Sequence, residues 1–144
     1  MMIEPDKEID DLPIAVIGAA IEVHRILGPG YVESVYEEAL AVELSLRKIP
    51  FERQKPIRVE YKGHLVSEGR LDLLVDNKLV VELKTVEALA PIHVAPVISY
   101  LKAMRLPLGL LINFNVPLLK RGLKRVVLST NPSDVLAAQP RVQV

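Results

Sequence analysis

Two carboxylates and a lysine, Asp72, Glu82 and Lys84, stand in one stretch, Glu68–Lys84 (EGRLDLLVDNKLVVELK), whose other residues dictate how they meet. Strand side chains alternate between faces, so Glu82 and Lys84 share one. A three-residue loop at Asp76, Asn77 and Lys78 pairs Val75 with Leu79 and brings Asp72 directly opposite Glu82. In that register Leu71, Leu73, Val75, Leu79, Val81 and Leu83 line one face, and Arg70, Asp72, Leu74, Val80, Glu82 and Lys84 the other. A slip of one residue sends every partner to the wrong face, so the hydrophobic pattern selects this pairing. Opposed strand residues have Cβ atoms about 5 Å apart. Two carboxylates at that distance repel by roughly 3 kcal/mol at an effective dielectric near 20. A cation offsets this: Lys84, a divalent metal, or both. The trio reads as a candidate metal site with an adjacent ammonium, although the D-x9-E-x-K spacing also suits an exposed, ordinarily charged hairpin face.

A further acid lies upstream in Gly30-Tyr31-Val32-Glu33-Ser34-Val35-Tyr36. Glu33 and Tyr36 are three apart and share a helical face. A glutamate in a first helical turn also complements the helix dipole without further purpose. Gly28-Pro29-Gly30 lacks the full spacing of a phosphate-cradling loop.

The elements that must hold these residues follow from hydrophobic spacing. Residues 1–10 read as a flexible polar arm. Asp11 can cap a helix with Pro13 in its first turn, and Ile14, Ile17, Ile21, His24 and Leu27 recur at helical spacing until Gly28-Pro29-Gly30 stops it. A second helix spans about Tyr31 to Lys48, with Val35, Ala39, Val42 and Leu46 on one side and Tyr36, Leu40 and Leu44 close by. From Ile57 the period becomes two (Ile57, Val59, Tyr61), Lys62-Gly63 turns, and the chain returns through His64–Val75 into Leu79–Leu83 as an antiparallel meander. A third helix fits Pro96–Arg105, with Val97, Leu101 and Met104 inward. Leu108–Phe114 is apolar enough for a buried central strand. Lys124–Ser129 reads as a last strand, and residues 130–144 as a proline-containing tail. The order gives one α/β (α+β) domain over residues 11–129, with helices packed on a mixed β-sheet.

Composition narrows the functions. The chain has 144 residues, half of them apolar, with eighteen basic and eighteen acidic side chains. A zero net charge excludes a generic polyanion binder, so any nucleic-acid contact falls to local patches. Lys120, Arg121, Lys124 and Arg125 form the densest basic cluster, and Arg53, Lys55 and Arg58 a second; a solvated face explains either as well. Two Phe, four Tyr and no Trp provide no evident base-stacking platform. The absence of cysteine removes disulfides, zinc–thiolate sites and cysteine nucleophiles. The acidic N-terminus is unlike a signal peptide, and no apolar run reaches the length of a membrane span, so a cytoplasmic protein without membrane association is expected. The apolar richness allows a homodimer.

Several motifs together resemble one family. GYVESVY at 30–36, GRLDLLV at 69–75, VVELK at 80–84, SYLKA at 99–103 and GLLINF at 109–114 are similar to the GxxExxY proteins, a branch of the PD-(D/E)xK nuclease superfamily, over roughly Ile14–Val127. The resemblance implies a restriction-endonuclease-like core in which a glutamate-bearing helix packs beside the acidic hairpin. It assigns Glu33 as the helix-borne acid, Asp72 as main metal ligand, Glu82 as second ligand and Lys84 as the motif lysine. The backbone carbonyl of Leu83 completes the expected ligands for Mg²⁺ or Mn²⁺, with Glu33 binding directly or through water. Metal-dependent phosphodiester hydrolysis of nucleic acid, DNA more than RNA, is the implied activity. Tyr36, Arg70, Lys120, Arg121 and Lys124 are the expected substrate contacts, with helix packing an equal alternative for Tyr36.

Two departures qualify this. Leu71 replaces the proline that gives the superfamily motif its first letter. Pro96 stands where the family carries a glutamine, four residues before Tyr100; it supplies no amide and fits a helix's first turn. His93 could replace that amide, or simply cap the helix. Two other readings remain: a nuclease-like module with an impaired site that binds nucleic acid or a protein partner, and a metal-dependent phosphoesterase with a small substrate.

Overall fold

The computed structural model describes residues 3–128, with side chains from residue 11 onward. Three helices, α1 (Ile3–Leu27), α2 (Glu33–Leu46) and α3 (Pro91–Met104), and five strands, β1 (Phe51–Tyr61), β2 (His64–Val75), β3 (Leu79–Lys84), β4 (Leu108–Asn113) and β5 (Leu123–Val127), follow one another along the chain. The strands form one sheet in the order β1-β2-β3-β4-β5. β1, β2 and β3 are an antiparallel meander, β4 runs parallel to β3 after the α3 crossover, and β5 returns antiparallel to β4. This is the single α/β domain with a mixed sheet that the alternation of patterns implies.

Helices cover both sides of the sheet. On one side Val16, Ala19, Ala20 and Val23 of α1, with Tyr36, Leu40 and Leu44 of α2, pack on Leu73, Val75, Leu79, Val81, Leu83, Leu110, Ile112 and Phe114. On the other, Val97 and Leu101 of α3 pack on Ile57, Leu71, Leu74, Val80, Leu111 and Val126. α3 sits close because β4 offers Gly109 beneath it: a Cβ there would lie 2.7 Å from the Val97 side chain.

The helix starts and inward faces differ from expectation in instructive ways. α1 begins at Ile3 rather than Asp11, so Pro13 is internal to it. Its core face is Val16-Ala19-Ala20-Val23, and Ile14 and Ile21 are exposed. Small side chains at its centre permit close seating on the sheet, and Leu12, Ile17 and Leu27 pack at the margin of that contact. α2 likewise buries Tyr36, Leu40, Ala41 and Leu44 and leaves Val42 and Leu46 outside. α3 begins at Pro91, where a first-turn proline costs nothing, so Pro96 falls inside the helix rather than in its first turn. The helix is capped by His93, whose Nδ1 accepts the Ala90 N–H at 2.9 Å.

The hairpin register is the expected one: Val75 faces Leu79, Leu74 faces Val80 and Leu73 faces Val81. One element of it changes. Leu71 packs under α3 with Leu74, not with Leu73 on the other side. The cause lies across the ladder, where Gln54 of β1 adopts a left-handed backbone (φ 50°) between the pairs Arg53–Leu73 and Lys55–Leu71. Alternation is interrupted in both strands there, which also places Ile57 under α3 whereas Phe51 packs on the α1 and α2 side. Beyond Ile57 the β1–β2 ribbon outruns the helices, so Val59 and Tyr61 are exposed. The proposed last strand is present as β5; Ser129 and the tail at 130–144 lie outside the described residues.

Candidate active site

Where the β2–β3 ladder ends, side chains take over its hydrogen bonds. The Asp72 backbone N–H donates to Glu82 Oε1 at 2.7 Å, and the Leu83 N–H donates to Asp72 Oδ2 at 2.8 Å. Asp72 and Glu82 thus meet through crossed carboxylate–amide bonds instead of a plain ladder pair. Each carboxylate is tied to the opposite strand's backbone, which brings the two side by side.

Burial then decides their charge. Glu82 is buried and Asp72 half-buried. Burial pushes the Glu82 carboxyl up to about 8, the Asp72 charge adds to the shift, and the Asp72 N–H and the Lys84 ammonium pull the other way. Burial also raises Asp72, against the hydrogen bond from Leu83. Two such groups resist joint ionisation unless positive charge enters between them.

α2 presents Glu33, its first residue, to this pair. Glu33 is half-buried and raised first by burial, then by the charge of Asp72, while Lys84 lowers it. Glu33 therefore lies within electrostatic reach of Asp72 and Lys84. Lys84, at the end of β3, acts on Glu33, Asp72 and Glu82 alike. Its strand end is fixed by Asn113, the facing β4 residue. The buried Asn113 amide accepts the Val86 N–H at 3.0 Å and donates to the Val86 carbonyl at 2.9 Å. Glu33, Asp72, Glu82 and Lys84 thus come together from three elements.

The expected substrate contacts divide. Tyr36 is fully buried and its ring stacks on Phe114 at 4.5 Å. Its hydroxyl donates to the Gly28 carbonyl at 2.5 Å and accepts the Tyr31 N–H at 3.2 Å. It pins the Gly28–Tyr31 loop ahead of α2 and does not bond to Glu33. Arg70 is exposed beside the site, its Nη1 donating to the Gln54 carbonyl at 3.3 Å. Lys120 and Arg121 are exposed on a short 3-10 helix, Leu119–Gly122. Lys124 on β5 faces Leu111, which faces Glu82, so Lys124 stands in the same cross-sheet row as Glu82. In the second basic cluster, Arg53 is paired with Glu37 and Glu38, and Lys55 with Glu52.

Three neighbours escaped the sequence reading. Glu37 follows Glu33 by one helical turn, a spacing that was open to view. Gln54 donates to both Glu37 and Asp72, a convergence no local pattern announces. Tyr100 of α3 has its hydroxyl raised by burial and then by the charges of Glu82 and Asp72, which puts it on the site's other flank.

The donors suit a hard divalent cation, being oxygens throughout. Among the described residues no three His, Cys, Asp or Glu side chains form a metal-binding group. Asp72 and Glu82 offer two carboxylates, and Mg²⁺ is commonly held by one or two carboxylates with waters completing its shell. Among the described residues no helix is long and apolar enough to cross a membrane. Comparison with curated proteins and with solved structures returned no match. The profile of the PD-(D/E)XK nuclease superfamily matches residues 10–126, which takes in every strand but the end of β5 and all four residues gathered here. The chain belongs to the PD-(D/E)XK nuclease superfamily.

Proposed function

We propose that this chain is a Mg²⁺- or Mn²⁺-dependent nuclease that hydrolyses phosphodiester bonds, of DNA more than RNA, and that within its superfamily it belongs to the GxxExxY branch. The observation that carries the proposal is the Asp72–Glu82 pair: two crossed, part-desolvated carboxylates beside a lysine, with Glu82 raised to about 8. Such a pair favours a bound cation over two free charges. The GYVESVY segment, with Glu33 in electrostatic reach of that pair, supports the branch assignment.

Asp72, Glu82 and the Leu83 carbonyl are the residues that would hold the ion, with Glu33 reaching it directly or through water. When bound there, such an ion would supply Lewis-acid polarisation of a phosphoryl oxygen and acidification of water. The chain's own residues do the rest. Asp72, held by the Leu83 N–H, and Glu82, held by the Asp72 N–H, keep the ligands preorganised. Lys84, a compact charge at the strand end, orients the attacking water or balances charge that develops on the phosphoryl oxygens. Arg70, Lys120, Arg121 and Lys124 provide backbone-phosphate contacts around the site.

The test incubates purified protein with single- and double-stranded DNA and RNA in Mg²⁺, Mn²⁺ or EDTA, alongside Asp72→Ala and Lys84→Ala. Divalent-dependent cleavage, abolished in both variants, is the expected result. No cleavage of any substrate, with nucleic-acid affinity unchanged in the variants, would replace it with the second reading: a nuclease-like module that binds without turnover. Pro96 favours that reading, because it stands one helical turn before Tyr100 and offers no side-chain amide.

A further inference from the structure

Gln54 is an anomaly in β1. It is a non-glycine residue with φ 50°, a conformation that costs roughly 1–2 kcal/mol for an L side chain. Strand-forming pressure does not explain it, since the kink interrupts alternation in both β1 and β2 at this one register position. What the kink achieves is visible in the side chain. The two hydrogens of the Gln54 amide are both used: Nε2 donates to Glu37 Oε1 at 2.9 Å and to Asp72 Oδ1 at 3.4 Å. Glu37 is itself held from behind, its Oε2 accepting Arg53 Nε at 3.0 Å, and Arg53 reaches on to Glu38 at 2.6 Å.

The Asp72 carboxylate is therefore gripped at both oxygens from different strands, Oδ2 by the Leu83 N–H of β3 and Oδ1 by the Gln54 amide of β1. One contact alone leaves a carboxylate free to turn about its last bond; two from opposite sides do not. We propose that Gln54 is a positioning residue for Asp72, and that Arg53 and Glu37 hold Gln54 in place, as the chain Arg53–Glu37–Gln54–Asp72. This rests on the nuclease reading above, in which Asp72 is a metal ligand. It assigns Glu37 a supporting place despite its position one turn from Glu33: its two oxygens are already occupied by Gln54 and Arg53.

Gln54→Gly separates positioning from folding, because glycine accepts the left-handed backbone at no steric cost while removing the amide. The expected result is a melting temperature at or above that of the unaltered protein. Amide hydrogen exchange at Leu83 should accelerate at least ten-fold, with the ladder amides of Val80 and Val81 unchanged. Mn²⁺ affinity by calorimetry should fall about ten-fold or more, the usual effect of losing a ligand's outer partner. Glu37→Ala should weaken Mn²⁺ binding in the unaltered background and by clearly less in the Gln54→Gly background, where only the Glu37 charge still reaches Asp72 and Glu33. Unchanged Leu83 exchange in Gln54→Gly, equal acceleration of all ladder amides, or additive effects of the two substitutions would each overturn the proposal. Failure of the nuclease reading shows separately, as no Mn²⁺ binding by the unaltered protein, and the Leu83 amide then decides the positioning role without metal.

Discussion

Glu82 carries the sharpest consequence of the site, because its protonation is coupled to folding. Its carboxyl lies at about 8 in the folded chain against an ordinary 4.5, so the fold favours the protonated form. Stability from this source is fully present below about pH 4.5, declines as pH rises, and is lost above about pH 8. Asp72 and Glu33 are raised as well and contribute with the same sign. At about 1.4 kcal/mol per pH unit the effect of Glu82 is on the order of several kcal/mol. Metal-free protein should therefore melt on the order of 10 °C lower at pH 9 than at pH 5, a size set by about 2–4 °C per kcal/mol for a chain of this length. Glu82→Gln should flatten most of that decline, and saturating Mg²⁺ or Mn²⁺ should restore stability at the alkaline end. Thermal melts across pH with EDTA or metal decide it; a melting temperature independent of pH in EDTA would show that Glu82 is not held protonated by its surroundings.

At the scale of the elements, α3 bears a proline at its sixth residue, where the Ile92 carbonyl loses its helical donor. Pro96 is exposed, so its cost is not offset by packing. Pro96→Gln should stabilise the protein by up to about 3 kcal/mol, seen as a higher urea midpoint without change in slope. A midpoint that stays put would mean that α3 has adapted fully to the missing hydrogen bond. The same helix shows why its beginning was hard to read from sequence. Pro91 and Pro96 are both acceptable first-turn residues, and only the Ala90–His93 cap distinguishes them. The β2–β3 hairpin was legible because alternation and a short turn determine register from local residues alone. The inward faces of α1 and α2 were not, because burial there follows fit to the sheet: Ala19 and Ala20 are inside and Ile14 and Ile21 outside. Of the site, Glu33, Asp72, Glu82 and Lys84 could be read from motif and period. Gln54 could not, since its left-handed backbone and its two acceptors, one on α2 and one on β2, exist only once three elements have come together.

For the whole molecule, eighteen cations balance eighteen anions, so long-range attraction to a polyanion is weak and affinity depends on where the unneutralised cations lie. The Arg53 and Lys55 charges are spent on Glu37, Glu38 and Glu52. Lys120, Arg121 and Lys124 are exposed at the opposite edge of the sheet from β1, and Lys124 shares the cross-sheet row of Glu82 at a distance of roughly 10 Å, two strand spacings away. A phosphate backbone that passes the β5 edge on its way to the Asp72–Glu82 pair would meet these cations, and its contacts there are ionic and sequence-independent. Each phosphate neutralised on duplex DNA contributes about 0.9 to the slope of log affinity against log salt. Replacing Lys120, Arg121 and Lys124 together by Ala should therefore weaken duplex binding and reduce that slope by roughly 2 to 3, with the melting temperature nearly unchanged because all three side chains are exposed. Anisotropy titrations of a labelled duplex from low to moderate salt measure both quantities. A slope identical to that of the unaltered protein would move the substrate path off β5 and toward the Arg70 side of the hairpin, where a single exposed guanidinium borders the site.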